Sequence, residues 1–75
     1  MLNLMVARKR KKITQKELAK RVGTNNIKIS RIENGIDMPK ADLLQKLAEE
    51  LGVSMDYLLL EVTEEKIKIF RGIGT

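Results

Sequence analysis

Residues 14–33 read TQKELAKRVGTNNIKISRIE, two short amphipathic patterns separated by a glycine. Thr14 and Glu17 have the spacing of a capping box, in which each side chain accepts a hydrogen bond from the other residue's N–H. Gly23 stands where a left-handed residue ends a helix. The first pattern therefore predicts a helix over about residues 15–22. Its apolar stripe is Leu18, Ala19 and Val22.

The second pattern predicts a helix over about residues 26–33, capped by Asn25 and closed by Asn34-Gly35. Successive residues turn by about 100° around a helix, so Ile29 and Ile32 share the buried side. The outward residues are Asn26, Ile27, Ser30 and Arg31. Two short helices joined by a tight turn containing glycine are typical of a helix-turn-helix.

The flanking residues also show helical spacing. Leu4 and Ala7 share one stripe of a first helix, Pro39 suits the first turn of a fourth helix, and Ser54 caps a short fifth helix. Residues 2–60 are therefore expected to form one all-α bundle. Met38, Met55 and Tyr57 are expected in its core or in an interface.

The tail, residues 61–75, allows two interpretations. Thr63 followed by two glutamates is typical of a helix start, whereas residues 66–70 alternate as an edge strand does. Both remain open. The apolar residues of this tail, with Leu58 to Leu60, exceed what so small a core can bury, which predicts a two-fold interface.

Charge is distributed unevenly along the chain. Residues 1–35 carry +8 and residues 36–75 carry −3, for a net charge of +5. The first half therefore favours a polyanionic partner. There is no Cys and no His, which removes disulfides, thiolate nucleophiles and the common zinc sites. The expectation is a cytoplasmic, nucleoid-associated protein that is not an enzyme, with no cofactor, no metal and no membrane segment.

The outward side of the third helix carries groups suited to base edges. Arg31 can pair bidentately with guanine, and an exposed Ile27 can cover a thymine methyl group. Gln15 lies in the first turn of the second helix, where a phosphate can dock. Each residue also has a simpler interpretation. Arg31 could form a surface ion pair, and Ile27 could be covered by the tail or a partner. Asn25 could serve simply as the N-cap of the third helix.

The basic run of residues 8–12 has two interpretations as well. It complements the negative end of the first helix dipole, or it contacts phosphates directly.

At these residues the chain resembles the phage repressor and Cro family of helix-turn-helix proteins, also called the xenobiotic-response-element family. The resemblance covers about residues 2–60. It rests on Thr14-Gln15 with Glu17-Leu18-Ala19, Gly23, Ile29 to Gly35, Pro39, Leu47-Ala48, Leu51 to Ser54 and Leu58-Leu59. It implies a five-helix, lambda-repressor-like DNA-binding domain with a short C-terminal tail.

The resemblance also implies roles for individual residues. A glutamine at the position of Gln15 binds phosphate and braces the recognition helix, and Arg8 with Glu33 would form a structural ion pair between the first and third helices. Together with the outward face, this predicts a site for double-stranded DNA. Its residues are Thr14, Gln15, Asn25, Asn26, Ile27, Lys28, Ser30, Arg31 and Asn34.

Three departures limit what the resemblance implies. Lys12 stands where the family usually has glycine, Ile27-Lys28 stand where small or polar residues are common, and Lys40 replaces the usual hydroxyl cap of the fourth helix. Base preference is therefore not transferable.

The predicted function is a sequence-specific transcriptional regulator that represses by binding a palindromic operator as a homodimer. One alternative is an antitoxin or controller that also binds a protein partner. A second alternative is a protein-interaction module whose basic face binds an acidic partner without DNA sequence preference.

Overall fold

The computed structural model describes residues 1–60, and these residues form helices without strands. The predicted tail, 61–75, and its two interpretations lie outside the described residues. The helices are α1 (Leu2–Arg10), α2 (Gln15–Val22), α3 (Asn26–Glu33), α4 (Ala41–Leu51) and α5 (residues 55–60). The prediction of an all-α, five-helix domain is confirmed.

Local hydrogen bonds and backbone angles set the helix ends. The Ser54 hydroxyl accepts from the Tyr57 N–H at 2.9 Å and caps α5. Gly23 and Gly52 end α2 and α4 in the left-handed region, with φ of +79° and +67°. Glycine adopts this conformation without the steric penalty that a Cβ carries.

The core lies where all five helices meet, and each helix contributes at least one fully buried side chain. These residues are Leu4, Leu18, Ile29, Ile32, Leu47 and Leu58. Burying each leucine or isoleucine contributes about 1.5–3 kcal/mol. Helix α2 packs against both α3 and α4, and α1 packs on the same pair. The interior of the domain therefore holds α3 in place from one side.

The α3–α4 loop contradicts one expectation and narrows another. Met38 is 58% exposed and lies outside the core, so its place in an interface stays a prediction, whereas Met55 and Tyr57 pack against the core. Pro39 is not in the first turn of α4, because Lys40 occupies the N-cap position and α4 begins at Ala41. Pro39 is instead buried just before the cap. As expected from its departure from the family pattern, Lys40 makes no side-chain capping hydrogen bond.

The turn between α1 and α2 contains a strained residue. Lys12 has a φ of +58°. Within residues 1–60 it is the only residue other than glycine with a positive φ. Its N–H donates to the Lys9 carbonyl at 3.0 Å, which keeps the turn tight. An L-residue with a Cβ is disfavoured in this region. The family that this chain resembles usually has glycine at the position of Lys12. The left-handed backbone at this position explains that preference.

The start of α1 is tied to other helices. The Met1 ammonium donates to the carbonyls of Ile32 and Glu33 at 2.7 and 3.2 Å. The Asn3 amide donates to the Tyr57 carbonyl at 2.8 Å. These bonds bring the beginning of α1 to the C-terminal end of α3 and to α5.

Candidate nucleic-acid interface

Helices α2 and α3 form a compact pair joined by residues 23–25. The Thr24 N–H donates to the Ala19 carbonyl at 2.8 Å, so the chain turns directly after the left-handed Gly23. The two helices make the most extensive helix–helix contact among the described residues. This packing holds α3 against the body of the domain and leaves its other side toward solvent.

The two sides of α3 differ as its periodicity predicts. Ile29, Ile32 and Glu33 are buried, whereas Asn26 and Ile27 are exposed. Ile27 is 67% exposed, so residues 1–60 do not cover this apolar side chain. An exposed apolar residue beside amides is suited to contact with a thymine methyl group.

Two of the predicted site residues act as helix caps. The Thr14 hydroxyl accepts from the Glu17 N–H at 3.0 Å, and the side-chain Oδ1 of Asn25 accepts from the Lys28 N–H at 2.8 Å. The second half of the predicted capping box is wrong. The Glu17 carboxylate accepts from the Arg21 Nε at 3.2 Å, because side chains four residues apart lie together on a helix.

A buried ion pair connects α1 to α3. Arg8 donates through Nε and Nη2 to the two carboxylate oxygens of Glu33, at 2.7 and 3.2 Å. Its Nη1 donates to the Ile13 carbonyl at 2.9 Å. Both residues are buried, so Arg8 does not contribute to an exposed basic surface. Lys9, Arg10 and Lys11 of the same run are exposed at the end of α1.

Gln15 joins this ion pair from α2. Its Nε2 donates to the Glu33 Oε1 at 3.0 Å, so its amide bridges the first turn of α2 to the last turn of α3. This bond matches the bracing role that the family resemblance implies. The phosphate contact of Gln15 stays a prediction.

Arg31 does not point unpaired into solvent. Its Nε lies 2.7 Å from Asp37 Oδ2, and its Nη2 lies 3.5 Å from Asp37 Oδ1. The hydrogen bond that the Arg31 guanidinium donates holds the pKa of Asp37 below its ordinary value and raises the pKa of Arg31. Lys28 Nζ lies 3.6 Å from the same Oδ2. The surface ion pair that the sequence left open is therefore present.

Ser30 and Asn34 form a second local pair. The Asn34 Nδ2 donates to the Ser30 carbonyl at 2.8 Å and lies 3.3 Å from the Ser30 Oγ. The Ser30 hydroxyl therefore accepts from Asn34 and keeps its own hydrogen as a donor. Both residues are at the surface of α3, where one helical turn separates them.

Sequence reasoning missed three residues beside this face. Asp37 pairs with Arg31 because the chain folds back after Gly35. In the sequence, Asp37 was indicated only as a carboxylate close to a basic helix. Lys16 and Lys20 line an open groove with Thr24, Asn25 and Asn26 at the start of α3. Their spacing of four residues on α2 would have placed them on one side of that helix.

No helix within residues 1–60 has the length and apolar character needed to cross a membrane.

No solved structure matches this chain. The helix-turn-helix family of the Cro/C1 type matches residues 4–58, well over half of the chain. This match includes α2, α3 and the turn between them. The chain therefore belongs to the Cro/C1-type helix-turn-helix family of DNA-binding transcription regulators.

Proposed function

We propose that this regulator acts as a repressor, occupying a palindromic operator as a homodimer in the cytoplasm. The observation that carries the proposal is the outward side of α3. Asn26, Ile27 and Arg31 are exposed there, while Ile29 and Ile32 anchor the opposite side in the core. A rigid helix with amide, apolar and guanidinium groups toward solvent suits the major groove.

The remaining site residues are proposed to hold the helix on the DNA backbone. The groove that contains Lys16 and Lys20 adjoins the first turn of α3, where N–H groups and the helix dipole favour a phosphate. Gln15 and Thr14 lie at the start of α2 and offer a second phosphate position. Lys28, Ser30 and Asn34 flank the base-reading residues on α3.

Exposed apolar residues support the homodimer. Leu2, Ile36 and Leu60 are 53%, 61% and 45% exposed. Leu2 lies at the start of α1, Ile36 lies in the segment after α3, and Leu60 lies in α5. The hydrogen bonds of Met1 and Asn3 bring these three regions together. Burying such residues against a second copy removes them from water. The apolar residues of the tail are proposed to extend this interface.

The test is selection of duplexes from a random library at about 150 mM salt, because salt suppresses the nonspecific electrostatic component. The expected result is a two-fold-symmetric site with half-site centres about 10 bp apart. Failure to enrich any sequence would overturn the proposal. Sedimentation equilibrium tests the dimer separately: a monomer at tens of micromolar would contradict it and favour a controller that binds a different protein.

A further inference from the structure

The loop after α3 folds back onto the last turn of that helix. The N–H groups of Ile36 and Asp37 both donate to the Arg31 carbonyl, at 2.8 and 3.2 Å. Gly35 permits the reversal with a φ of +77°. Backbone hydrogen bonds therefore place the Asp37 carboxylate beside the Arg31 side chain, so the pair does not depend on the two side chains alone.

The geometry of the pair leaves one edge of the guanidinium unused. A guanidinium has five N–H donors, and Asp37 takes the edge formed by Nε and Nη2. Within residues 1–60, the hydrogen bonds of this guanidinium go to Asp37 alone. The two Nη1 donors and the second Nη2 donor remain. These form the end of the fork, which matches guanine O6 and N7.

We propose that Asp37 is a positioning residue that holds the Arg31 guanidinium for end-on, bidentate reading of a guanine. Asp37 touches no base in this arrangement and determines specificity through Arg31. The inference rests on the proposed reading of DNA by α3. An arginine with four rotatable side-chain bonds loses much rotamer freedom on binding, and one that is already oriented loses less.

The same carboxylate should weaken the affinity for DNA of any sequence, although it raises the preference for guanine. Its negative charge lies on the face that is proposed to approach the phosphates, where it repels them. Lys28, 3.6 Å away, offsets only part of that charge. Asp37 is therefore expected to weaken binding to random duplexes while it raises the preference for guanine. A carboxylate that only screens Arg31 would weaken binding to both kinds of DNA and add no preference.

The experiment compares dissociation constants for three duplexes at one salt concentration. The duplexes are the selected site, the same site with the guanine opposite Arg31 replaced, and a random sequence. We expect Asp37→Ala to bind the random duplex several-fold more tightly and to lose about 10-fold of the preference for guanine. In an Arg31→Ala background, Asp37→Ala should leave the base preference unchanged.

Two control variants separate geometry from charge. Asp37→Asn removes the charge but keeps an oxygen that accepts from Arg31 Nε, so it should retain part of the guanine preference. Asp42→Ala removes the same charge at the exposed start of α4, where the carboxylate accepts from the Leu43 N–H. It should leave the preference intact. Thermal melts of all variants confirm that each is folded at the temperature of the assay.

An unchanged guanine preference in Asp37→Ala, with tighter binding to every duplex, would overturn the positioning role while leaving the proposed function in place. An Arg31→Ala variant with full guanine preference would overturn it too. A wild-type protein that prefers no sequence would instead overturn the proposed function, and the positioning role with it.

Discussion

Arg8 and Glu33 form a two-pronged ion pair inside the domain, with Nε–Oε2 and Nη2–Oε1 distances of 2.7 and 3.2 Å. The pair joins the last turns of α1 and α3, and Gln15 adds a third donor to the same carboxylate. The side chains are only 10% and 2% exposed. The orientation of α3 thus depends on a charge that is removed from water.

Removing one partner of this pair should be more damaging than removing both. Glu33→Gln strands the Arg8 charge and should lower the free energy of unfolding by about 3–5 kcal/mol, because a buried charge without its partner is costly. The double variant Arg8→Met with Glu33→Leu should lose clearly less. Urea unfolding followed by circular dichroism measures both. A double variant that loses as much stability as Glu33→Gln, or more, would contradict this account.

Lys12→Gly should stabilise the domain. Lys12 has a φ of +58°, where a Cβ is strained and glycine is not. Lys12→Ala removes the same charge and keeps the Cβ, so it is the matched control. The glycine variant should be more stable than the alanine variant by about 1 kcal/mol in urea unfolding. Equal stability of the two would show that the left-handed backbone is not strained.

Lys40 is an N-cap without a capping hydrogen bond, so a better cap should stabilise α4. Its backbone already has the extended conformation of a cap residue, with φ −69° and ψ 165°. Lys40→Ser should raise the free energy of unfolding by about 1 kcal/mol, because a side-chain oxygen satisfies an N–H group in the first turn. Lys40→Ala lacks that oxygen and should show no such gain. The thermal midpoints of the two variants give the comparison.

The Asp37 carboxyl should titrate below the ordinary 3.8 of an aspartate. The hydrogen bond from Arg31 stabilises the charged form, so any stabilisation by the pair is present above the ordinary pKa and is lost as the pH falls through the lowered pKa. Carbon-detected NMR titration measures this pKa. Arg31→Ala should raise the pKa of Asp37, and Lys28→Ala should raise it less. An unchanged value in Arg31→Ala would mean that the pair does not form in solution.

Contacts to bases and contacts to phosphates should respond differently to mutation. Arg31→Ala should lose about 1–3 kcal/mol on the selected site and less on random DNA, where only the charge of Arg31 contributes. Lys16→Ala should weaken binding to every sequence and reduce the salt slope by about 1. Lys46→Ala removes the same charge from the exposed side of α4 and should change the salt slope least. Equal losses on specific and random DNA for Arg31→Ala and Lys16→Ala would contradict the division.

The sequence by itself determined the helices and the buried side of each. Caps and stop signals act within four residues, so Thr14, Asn25 and Ser54 could be recognised from their neighbours alone. The spacing of Ile29 and Ile32 likewise set which side of α3 is buried, because helical geometry fixes that side whatever packs against it.

Only the tertiary structure decided what the polar side chains of the site do. The partner of Arg31 depends on the path of the loop that carries Asp37, and the partner of Gln15 depends on how α2 packs on α3. Both pairings join residues that no helical period relates. The Glu17 carboxylate had two local partners within reach and took the one on its own helix face. Such choices depend on small free-energy differences between alternative contacts, which only the packed domain resolves.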